Sequence, residues 1–347
     1  MLDVKILTEN IEKLRLDEQI AGMSVAITDR RNIIYNQGFG FESAMRPEIP
    51  TCPEALYKIA SITKTFTAIM ILRLVEEGIL DLDLPIINYI PWLTLSNGES
   101  AKKMTLRHLL THTAGMPPDV FLEEGSRDEK TIDKVVKDTL PTFQNLPTAG
   151  ECGYQYSSWG YNVIGTVASA ATEKSLSKLM DEYVLNPLGT ERTTFDYFVA
   201  STYPLSMPHR FVKDGTFRAL HHQRFNTVYH AGAGLFSNTT DLCKLLRFFL
   251  NDGRADSGEQ LLTPDSLEQM TFPYNERTNS PGSYYGLGLF VNPHNGGFMY
   301  GHTGNYDPYN SSVFCSKEKG YGVVTLINSH ATDARNTICK MIFDMLD

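Results

Sequence analysis

The chain has 347 residues and a formal net charge of −9 at pH 7, with 42% hydrophobic and 20% charged residues. This composition is typical of a packed globular protein with one large domain or two of moderate size. The negative charge argues against a nucleic-acid-binding surface, which requires clustered lysine and arginine.

The N-terminal residues predict a helix followed by two strands. Residues 4–19 place apolar side chains at helical spacing among charged ones, which predicts an amphipathic helix rather than a signal peptide. Residues 23–28 and 33–39 predict strands joined by a turn at 29–32. No apolar run is long enough for a membrane span, and five widely separated cysteines indicate reduced thiols. We therefore expect a cytoplasmic protein, although a leader removed earlier would be compatible with this sequence.

A serine and a lysine stand three residues apart where the next helix is predicted to begin. Ser61 and Lys64 would share a face of this helix, which passes through an apolar stretch and ends near Gly78. A serine becomes a nucleophile when a base takes its proton, and a partly desolvated lysine can act as that base. The alternative is that Ser61 caps the helix and Lys64 is solvated.

The Ser-x-x-Lys pattern occurs at three further positions, so context must select among them. Ser100 follows a polar turn and is followed by lysines that look solvated, while Ser316 lies in a predicted exposed hairpin tip. Ser175 begins a second helix and is predicted to be its N-cap. Of the four serines, only Ser61 precedes an apolar run that would bury its helix, so Ser61 is the candidate nucleophile.

The middle of the chain, from about residue 100 to 250, is predicted to be mainly helical, and strands return afterwards. Helices are predicted at 176–186, 241–250 and 333–346. The late strands are predicted at 287–291, 298–302, 311–314 and 321–327. Strands at both ends with helices between them predict an antiparallel sheet built from both termini, with a helical insertion.

Two later segments contain groups that could complete an acyl-transfer site. Such a site must also protonate the leaving group and stabilise an oxyanion. Residues 153–160 form a Gly- and Ser-rich aromatic loop before an apolar helix. Residues 298–304 form a predicted strand that ends in small residues, along which a substrate could lie.

Five segments follow one another in an informative order. They are Ser61-x-x-Lys64, residues 106–116, Tyr156-x-Ser158, residues 233–237 and His302-Thr303-Gly304. In this order they resemble the serine β-lactamases and penicillin-recognising D,D-peptidases, in particular the class C β-lactamase-like hydrolases. The resemblance covers about residues 10–345. It implies the β-lactamase/transpeptidase-like fold, with an α/β domain (1–75 and 235–347), a mainly helical domain (76–234) and a cleft between them.

The resemblance also implies roles for individual residues. Ser61 would become acylated, and Lys64 and Tyr156 would share the proton transfers as a pair in which the base is not assigned. The backbone N–H groups of Ser61 and Asn305 would form the oxyanion hole. The substrate would be contacted by Ser158, His302, Thr303 and Gly304. No cofactor and no metal is implied.

Two residues depart from the family pattern. Ser158 replaces an asparagine and offers a shorter side chain with fewer donors, a loss for which Asn162 is a candidate replacement. His302 replaces a lysine, and an imidazole is largely neutral near pH 7. Both changes disfavour efficient β-lactamase activity. They favour a peptidase, amidase or esterase acting on a small molecule or short peptide, and oligomeric state is not predicted.

Two other functions stay open on the sequence alone. The replacement at Ser158 is compatible with an inactive ligand-binding protein on the same scaffold. His108 and His112 would share a helical face, as zinc ligands can, although the glutamate of the zinc-protease motif is missing. Tyr154 and Trp159 either line the substrate pocket or only anchor their loop.

Overall fold

The computed structural model describes residues 2–117, 131–144, 146–212, 215–220, 230–330 and 333–346. Within these ranges the helices are α1 (Val4–Asp17), α2 (Thr63–Glu76), α3 (Gly98–Lys103), α4 (Leu106–Leu110), α5 (Thr131–Thr139), α6 (Ser158–Thr172), α7 (Leu176–Met180), α8 (Asn186–Leu188), α9 (Tyr197–Ala200), α10 (His230–Ala233), α11 (Thr239–Leu250), α12 (Pro264–Thr271) and α13 (Ala334–Leu346). The strands are β1 (Gly22–Thr28), β2 (Ile33–Gly40), β3 (Tyr57–Lys58), β4 (His209–Phe211), β5 (Phe217–Ala219), β6 (Phe236–Ser237), β7 (Asn275–Glu276), β8 (Tyr284–Tyr285), β9 (Phe290–His294), β10 (Gly297–Tyr306), β11 (Tyr309–Ser316) and β12 (Tyr321–Ile327).

The largest sheet among the described residues has eight antiparallel strands in the order β2-β1-β12-β11-β10-β9-β8-β7. β1 pairs with β12, with Met23 opposite Ile327, so strands from the two ends of the chain are neighbours in the sheet. This confirms the predicted antiparallel sheet built from both termini. The apolar residues of β1 are buried on both faces, because α1 and α13 cover one face and α2 and α11 cover the other.

The N-terminal elements follow the predicted pattern closely. α1 begins at a cap in which Asp3 accepts hydrogen bonds from the N–H groups of Lys5 and Ile6. It ends two residues earlier than predicted, since Gln19 has φ +53° and leaves the helix. In the turn between β1 and β2, Asp29 accepts from the backbone of Asn32, as a turn aspartate does.

One late strand is displaced from its predicted position. The strand predicted at 287–291 begins only at Phe290, because Gly288 takes φ +77° and packs against the backbone of α2. A Cβ at Gly288 would lie 2.7 Å from the carbonyl oxygen of Lys64, so this close approach requires glycine. The strand predicted at 298–302 is longer than expected and extends to Tyr306. Both differences bring β10 and its neighbours against the start of α2.

The helical part of the chain surrounds α6, which is apolar on nearly all sides and is buried along most of its length. The helix predicted at 176–186 is present and continues without a gap to Leu188, with a π-helical turn between α7 and α8. The domain boundaries predicted at residues 75 and 235 stay a prediction. Among the helices that the structure describes, none combines the length and the hydropathy needed to cross a bilayer.

The competing Ser-x-x-Lys serines have ordinary structural roles. Ser175 caps α7 by accepting from the N–H of Lys178, which confirms the predicted N-cap. Lys103 is exposed and pairs with Glu151, as predicted for the lysines after Ser100. The hairpin turn predicted around Ser316 is present at residues 317–320, but the predicted exposure of Ser316 is wrong, because this serine is buried at the end of β11.

Candidate active site

Ser61 lies in a 3₁₀ turn, Ala60–Ile62, that joins β3 to α2. Ala60 has φ +49°, which is uncommon for a residue with a side chain and turns the chain sharply from strand to helix. Ser61 is half-buried, whereas both of its neighbours in the turn are buried. The residue at the cap position of α2 is Ile62, without a side-chain hydrogen bond, so the alternative of Ser61 as an N-cap is wrong.

Lys64 is fully buried on the first turn of α2, so the alternative of a solvated lysine is also wrong. Its Nζ donates to Ser61 Oγ at 3.1 Å, to Ser158 Oγ at 3.0 Å and to the carbonyl oxygen of Gly232 at 2.9 Å. All three acceptors are uncharged oxygens. The lysine therefore connects two serine hydroxyls that lie 97 positions apart in the numbering, from 61 to 158.

Ser158 reaches Lys64 because it is the first residue of α6. The preceding Ser157 caps this helix and accepts from the N–H of Trp159, which fixes the direction in which the helix begins. At the position where the family has a carboxamide, this chain thus has a hydroxyl bonded directly to the buried amine. Asn162, one turn later, is fully buried within α6, and its role as a replacement for that carboxamide stays a prediction.

Tyr156 lies beside the same amine. Its ring centroid is 4.9 Å from Lys64 Nζ, within the range of a cation–π contact. The Tyr156 ring also packs against the imidazole of His112, whose ring centroid is 4.3 Å away. The structure therefore brings Ser61, Lys64, Tyr156 and Ser158 into one cluster.

His112, which the sequence offered only as a possible zinc ligand or as part of a structural helix end, contacts the Tyr156 ring. It has φ +59° just after α4, and its Nδ1 accepts from the N–H of Ser157 at 3.2 Å. A nitrogen that accepts cannot carry a proton, so the ring is the neutral Nε2–H tautomer. Burial, with the nearby Lys64 ammonium, lowers the pKa of His112 well below its usual value. The sequence signals at this position were its spacing from His108 and its place within residues 106–116.

The predicted zinc alternative has no support in this geometry. His108 Nδ1 accepts from the N–H of Thr105 in a capping box, whereas His112 is directed to the N-cap of α6. Among the described residues there is no group of three or more His, Cys, Asp or Glu side chains placed to hold a metal ion.

His302 is buried on β10, with 1% of its surface exposed. Nδ1 faces the carbonyl oxygen of Thr303 and must donate to it, so Nε2 accepts from the Tyr285 hydroxyl at 3.0 Å. The ring stacks on Phe290 at 4.3 Å and lies 6.3 Å from the Tyr156 ring. Burial, followed by the charge of Lys64, lowers the pKa of His302 well below its usual value, so the ring is neutral.

The end of β10 lies directly against the turn that carries Ser61. A Cβ at Gly304 would be 2.1 Å from the carbonyl oxygen of Ile59, so only glycine permits this contact. Thr303 is half-buried and Asn305 is exposed on the same strand end. The backbone of Asn305 is therefore next to the Ser61 turn, as an oxyanion hole shared by the two segments would need.

The remaining aromatic residues divide between core and site. Trp159 is fully buried and packs against Phe143 at 5.3 Å, so it anchors α6. Tyr154 packs against His112 and Tyr285, at 5.6 Å in each case, and belongs to the aromatic cluster around Tyr156.

A family model described as Beta-lactamase matches residues 7–340 of the chain. The protein belongs to the beta-lactamase family. The match covers almost the whole length, from within α1 to within α13.

The chain is also similar to a curated protein and to two solved structures. The chain is 24% identical over 309 residues to Protein flp of Staphylococcus aureus, covering 89% of this chain but only 60% of that relative's length. The octameric penicillin-binding protein homologue from Pyrococcus abyssi has a TM-score of 0.85 and 26% identity, over 99% of this chain and 77% of that one. EstCE1, a hydrolase with promiscuous acyltransferase activity, has a TM-score of 0.82 and 20% identity, covering 99% and 98%. These likenesses confirm the predicted β-lactamase/transpeptidase-like fold.

Proposed function

We propose that the protein is a serine hydrolase that cleaves an amide or ester through an acyl-enzyme on Ser61. The observation that carries this proposal is the fully buried Lys64, which bonds the hydroxyls of both Ser61 and Ser158. A buried amine bonded to two hydroxyls can move a proton from one to the other. The chain belongs to the beta-lactamase family, and one of its structural neighbours is a hydrolase. Both facts support the same reaction class.

In the first half-reaction, Ser61 Oγ attacks the substrate carbonyl carbon while its proton passes to Lys64 or to the Lys64–Tyr156 pair. Lys64 takes this proton in its neutral form, because an ammonium that donates to all three oxygens has no lone pair with which to accept one. The N–H groups of Ser61 and Asn305 stabilise the negative charge on the carbonyl oxygen. Ser158 or Tyr156 then returns the proton to the leaving group as its bond to carbon breaks.

In the second half-reaction, water attacks the acyl-enzyme and restores Ser61. A different acceptor in place of water would make the protein an acyltransferase, the second activity named for EstCE1. The neutral and buried His302 holds Tyr285 rather than facing solvent as a charged group. We therefore assign it a positioning role and expect weak β-lactamase activity compared with ester or amide cleavage.

The experiment is covalent trapping with an activated ester. We expect 4-nitrophenyl butyrate to release nitrophenol and to leave a butyryl group on Ser61, detected by peptide mapping in a mass spectrometer. Ser61→Ala should lose both the adduct and the turnover. The matched control is Ser175→Ala, which removes a hydroxyl from another Ser-x-x-Lys on an exposed helix cap and should leave turnover unchanged.

Two results would contradict the proposal. One is an adduct that persists elsewhere in the Ser61→Ala variant with normal turnover. The other is the absence of any adduct and turnover in the wild type with esters, D-amino-acid peptides and penicillins, which would favour a ligand-binding protein.

A further inference from the structure

A second buried lysine lies three residues before Ser61 and has no role in the proposed chemistry. Lys58, on β3, has only 7% of its surface exposed. Its Nζ is 4.2 Å from the ring centroid of Tyr306 and 5.3 Å from that of Phe236. Among the residues that the structure describes, the Lys58 ammonium makes neither an ion pair nor a hydrogen bond, although the backbone of Lys58 pairs with β6.

The acids on the neighbouring segments are engaged elsewhere. Asp307, which follows Tyr306, pairs with Arg210 at 2.5 Å. Glu54, four residues before Lys58, pairs with Arg192 at 2.9 Å. Two aromatic faces offset only part of the cost of burying a cation. Burial lowers the pKa of Lys58 to about 8, so the side chain is still mostly charged at pH 7.

The position of Lys58 relative to the reacting bond follows from β10. Gly304 on this strand touches Ile59, and Tyr306 lies two residues further on, over Lys58. His302 lies on the same strand, four residues before Tyr306, which is about 13 Å in an extended strand. The ring of His302 is near the ring of Tyr156.

In this arrangement the leaving group and the acyl chain of a bound substrate lie towards opposite ends of β10. The leaving group must lie towards the groups that protonate it, Tyr156 and Ser158. With the carbonyl oxygen between Ser61 and Asn305, the acyl chain then extends towards the other end of the strand, where Tyr306 and Lys58 lie.

We propose that Lys58, together with the ring of Tyr306, forms a subsite for a carboxylate carried by the acyl portion of the substrate. This inference rests on the proposed function and specifies its substrate class as a carboxylate-bearing ester or amide. The carboxylate accepts charge-assisted hydrogen bonds from the ammonium and supplies the counter-charge that the described residues lack. The cost of the buried cation is then offset when substrate binds.

The test compares esters that differ only in one charge. The first is mono-4-nitrophenyl glutarate, and the second is its methyl ester, which has the same acyl chain without the charge. A third, 3-carboxy-4-nitrophenyl butyrate, carries the carboxylate on the leaving group. We expect Lys58→Met to lower kcat/KM for the glutarate at least about tenfold, mainly through KM. The methyl ester and the third ester should change by less than about twofold, and Lys58→Arg should retain part of the preference.

Equal losses of kcat/KM on the glutarate and on its methyl ester would overturn the subsite, as would a loss confined to the third ester.

A binding measurement separates failure of the subsite from failure of the proposed function. Glutarate itself should bind the Ser61→Ala protein in a calorimeter and should not bind the Ser61→Ala, Lys58→Met double variant. If none of the esters is turned over, the serine-hydrolase proposal fails while glutarate binding still decides the role of Lys58. Binding that is equal in both variants, or absent in both, rejects the subsite.

Discussion

At the scale of single residues, the site depends on side chains whose surroundings come from remote parts of the chain. The spacing of Ser61 and Lys64 predicts that they meet, because both lie at the start of one helix. The spacing does not predict that Ser158 and Gly232 cover the lysine, 94 and 168 positions later. His112 was missed for the same reason, since a histidine after a helix acquires a role only through its contacts with Ser157 and Tyr156.

Ser158 provides the first prediction at this scale. Ser158→Ala removes one of the two hydroxyls bonded to Lys64 and should lower kcat about a hundredfold, the typical loss for a proton-transfer group. Ser158→Thr keeps the hydroxyl and should recover most of the rate. Stopped-flow measurement of nitrophenol release tests this, with thermal unfolding of each variant to detect misfolding. A stable alanine variant with an unchanged rate would assign Ser158 a structural role only.

Lys58 provides a stability prediction that is independent of substrate. A pKa of about 8 in the folded protein, against 10.5 for a free lysine, corresponds to roughly 3 kcal/mol at about 1.4 kcal/mol per pKa unit. The aromatic contacts offset about 1 kcal/mol of this. Lys58→Met should therefore raise the free energy of unfolding at pH 7 by about 1–2 kcal/mol.

The stabilisation expected from Lys58→Met depends on pH, because the pKa of Lys58 is lower in the folded protein than in the unfolded chain. Between pH 8 and 10.5 the unfolded chain binds more protons than the folded one, so the wild type gains stability as the pH rises and the advantage of Lys58→Met disappears. Urea unfolding at pH 7 and pH 10 measures both values, with the exposed Lys13→Met as control. A variant less stable than the wild type at pH 7 would contradict the account of an uncompensated buried charge.

At the scale of elements, the sequence predicted where helices and strands occur better than where they begin and end. Alternation and helical spacing identified β1, β2, α1, α11 and β12 within two residues of their observed bounds. The start of β9 was missed because Gly288 leaves the strand to pack against α2, a tertiary contact that no local pattern records. The short strands β3 and β6, which hold the Ser61 turn in place, were not predicted, since two-residue strands have no periodicity.

The contact between β10 and the Ser61 turn gives the prediction at this scale. Gly304→Ala would place a Cβ 2.1 Å from the carbonyl oxygen of Ile59 and 2.2 Å from Ser311 Oγ, so the strand must move away. We expect kcat/KM to fall at least about a hundredfold, since a shift of about 1 Å at a reacting group has this effect. The stability should fall by about 1–3 kcal/mol, as for other overpacked positions.

Gly98→Ala is the matched control, because nothing lies within 4 Å of a Cβ at that position and its φ is not positive. The crystal structure of the Gly304→Ala variant would show whether the Asn305 N–H has moved from the Ser61 turn. Full activity in a folded Gly304→Ala protein would exclude an oxyanion hole formed by these two segments.

At the scale of the whole molecule, buried neutral imidazoles lie in separate regions of the fold. His112 lies among the helices, His302 lies in the large sheet, and His209 lies in β4 at the junction with the end of β12. His209 is fully buried, its ring Nε2 accepts from the N–H of Ala44, and its backbone N–H donates to the carbonyl oxygen of Asn328. Composition and charge could not predict this, because a histidine is as often exposed as buried.

These imidazoles make the fold sensitive to mild acid. Burial lowers the pKa of His209 to about 4, and those of His112 and His302 are also lowered. Below pH 6.5 the histidines of the unfolded chain take up protons, whereas the buried ones in the folded protein stay neutral. The free energy of unfolding therefore decreases as the pH falls towards 4. His209 alone accounts for about 3 kcal/mol of that loss.

His209→Gln tests this contribution, because the glutamine Oε1 can accept from Ala44 without taking a proton. We expect the free energy of unfolding of the wild type to fall more steeply between pH 6.5 and 4.5 than that of His209→Gln. The half-exposed His294→Gln should follow the wild type. Urea unfolding at four pH values in this range gives the three slopes, and carboxylates contribute equally to each because the variants share them. Parallel slopes for wild type and His209→Gln would show that acid acts on this fold through its carboxylates instead.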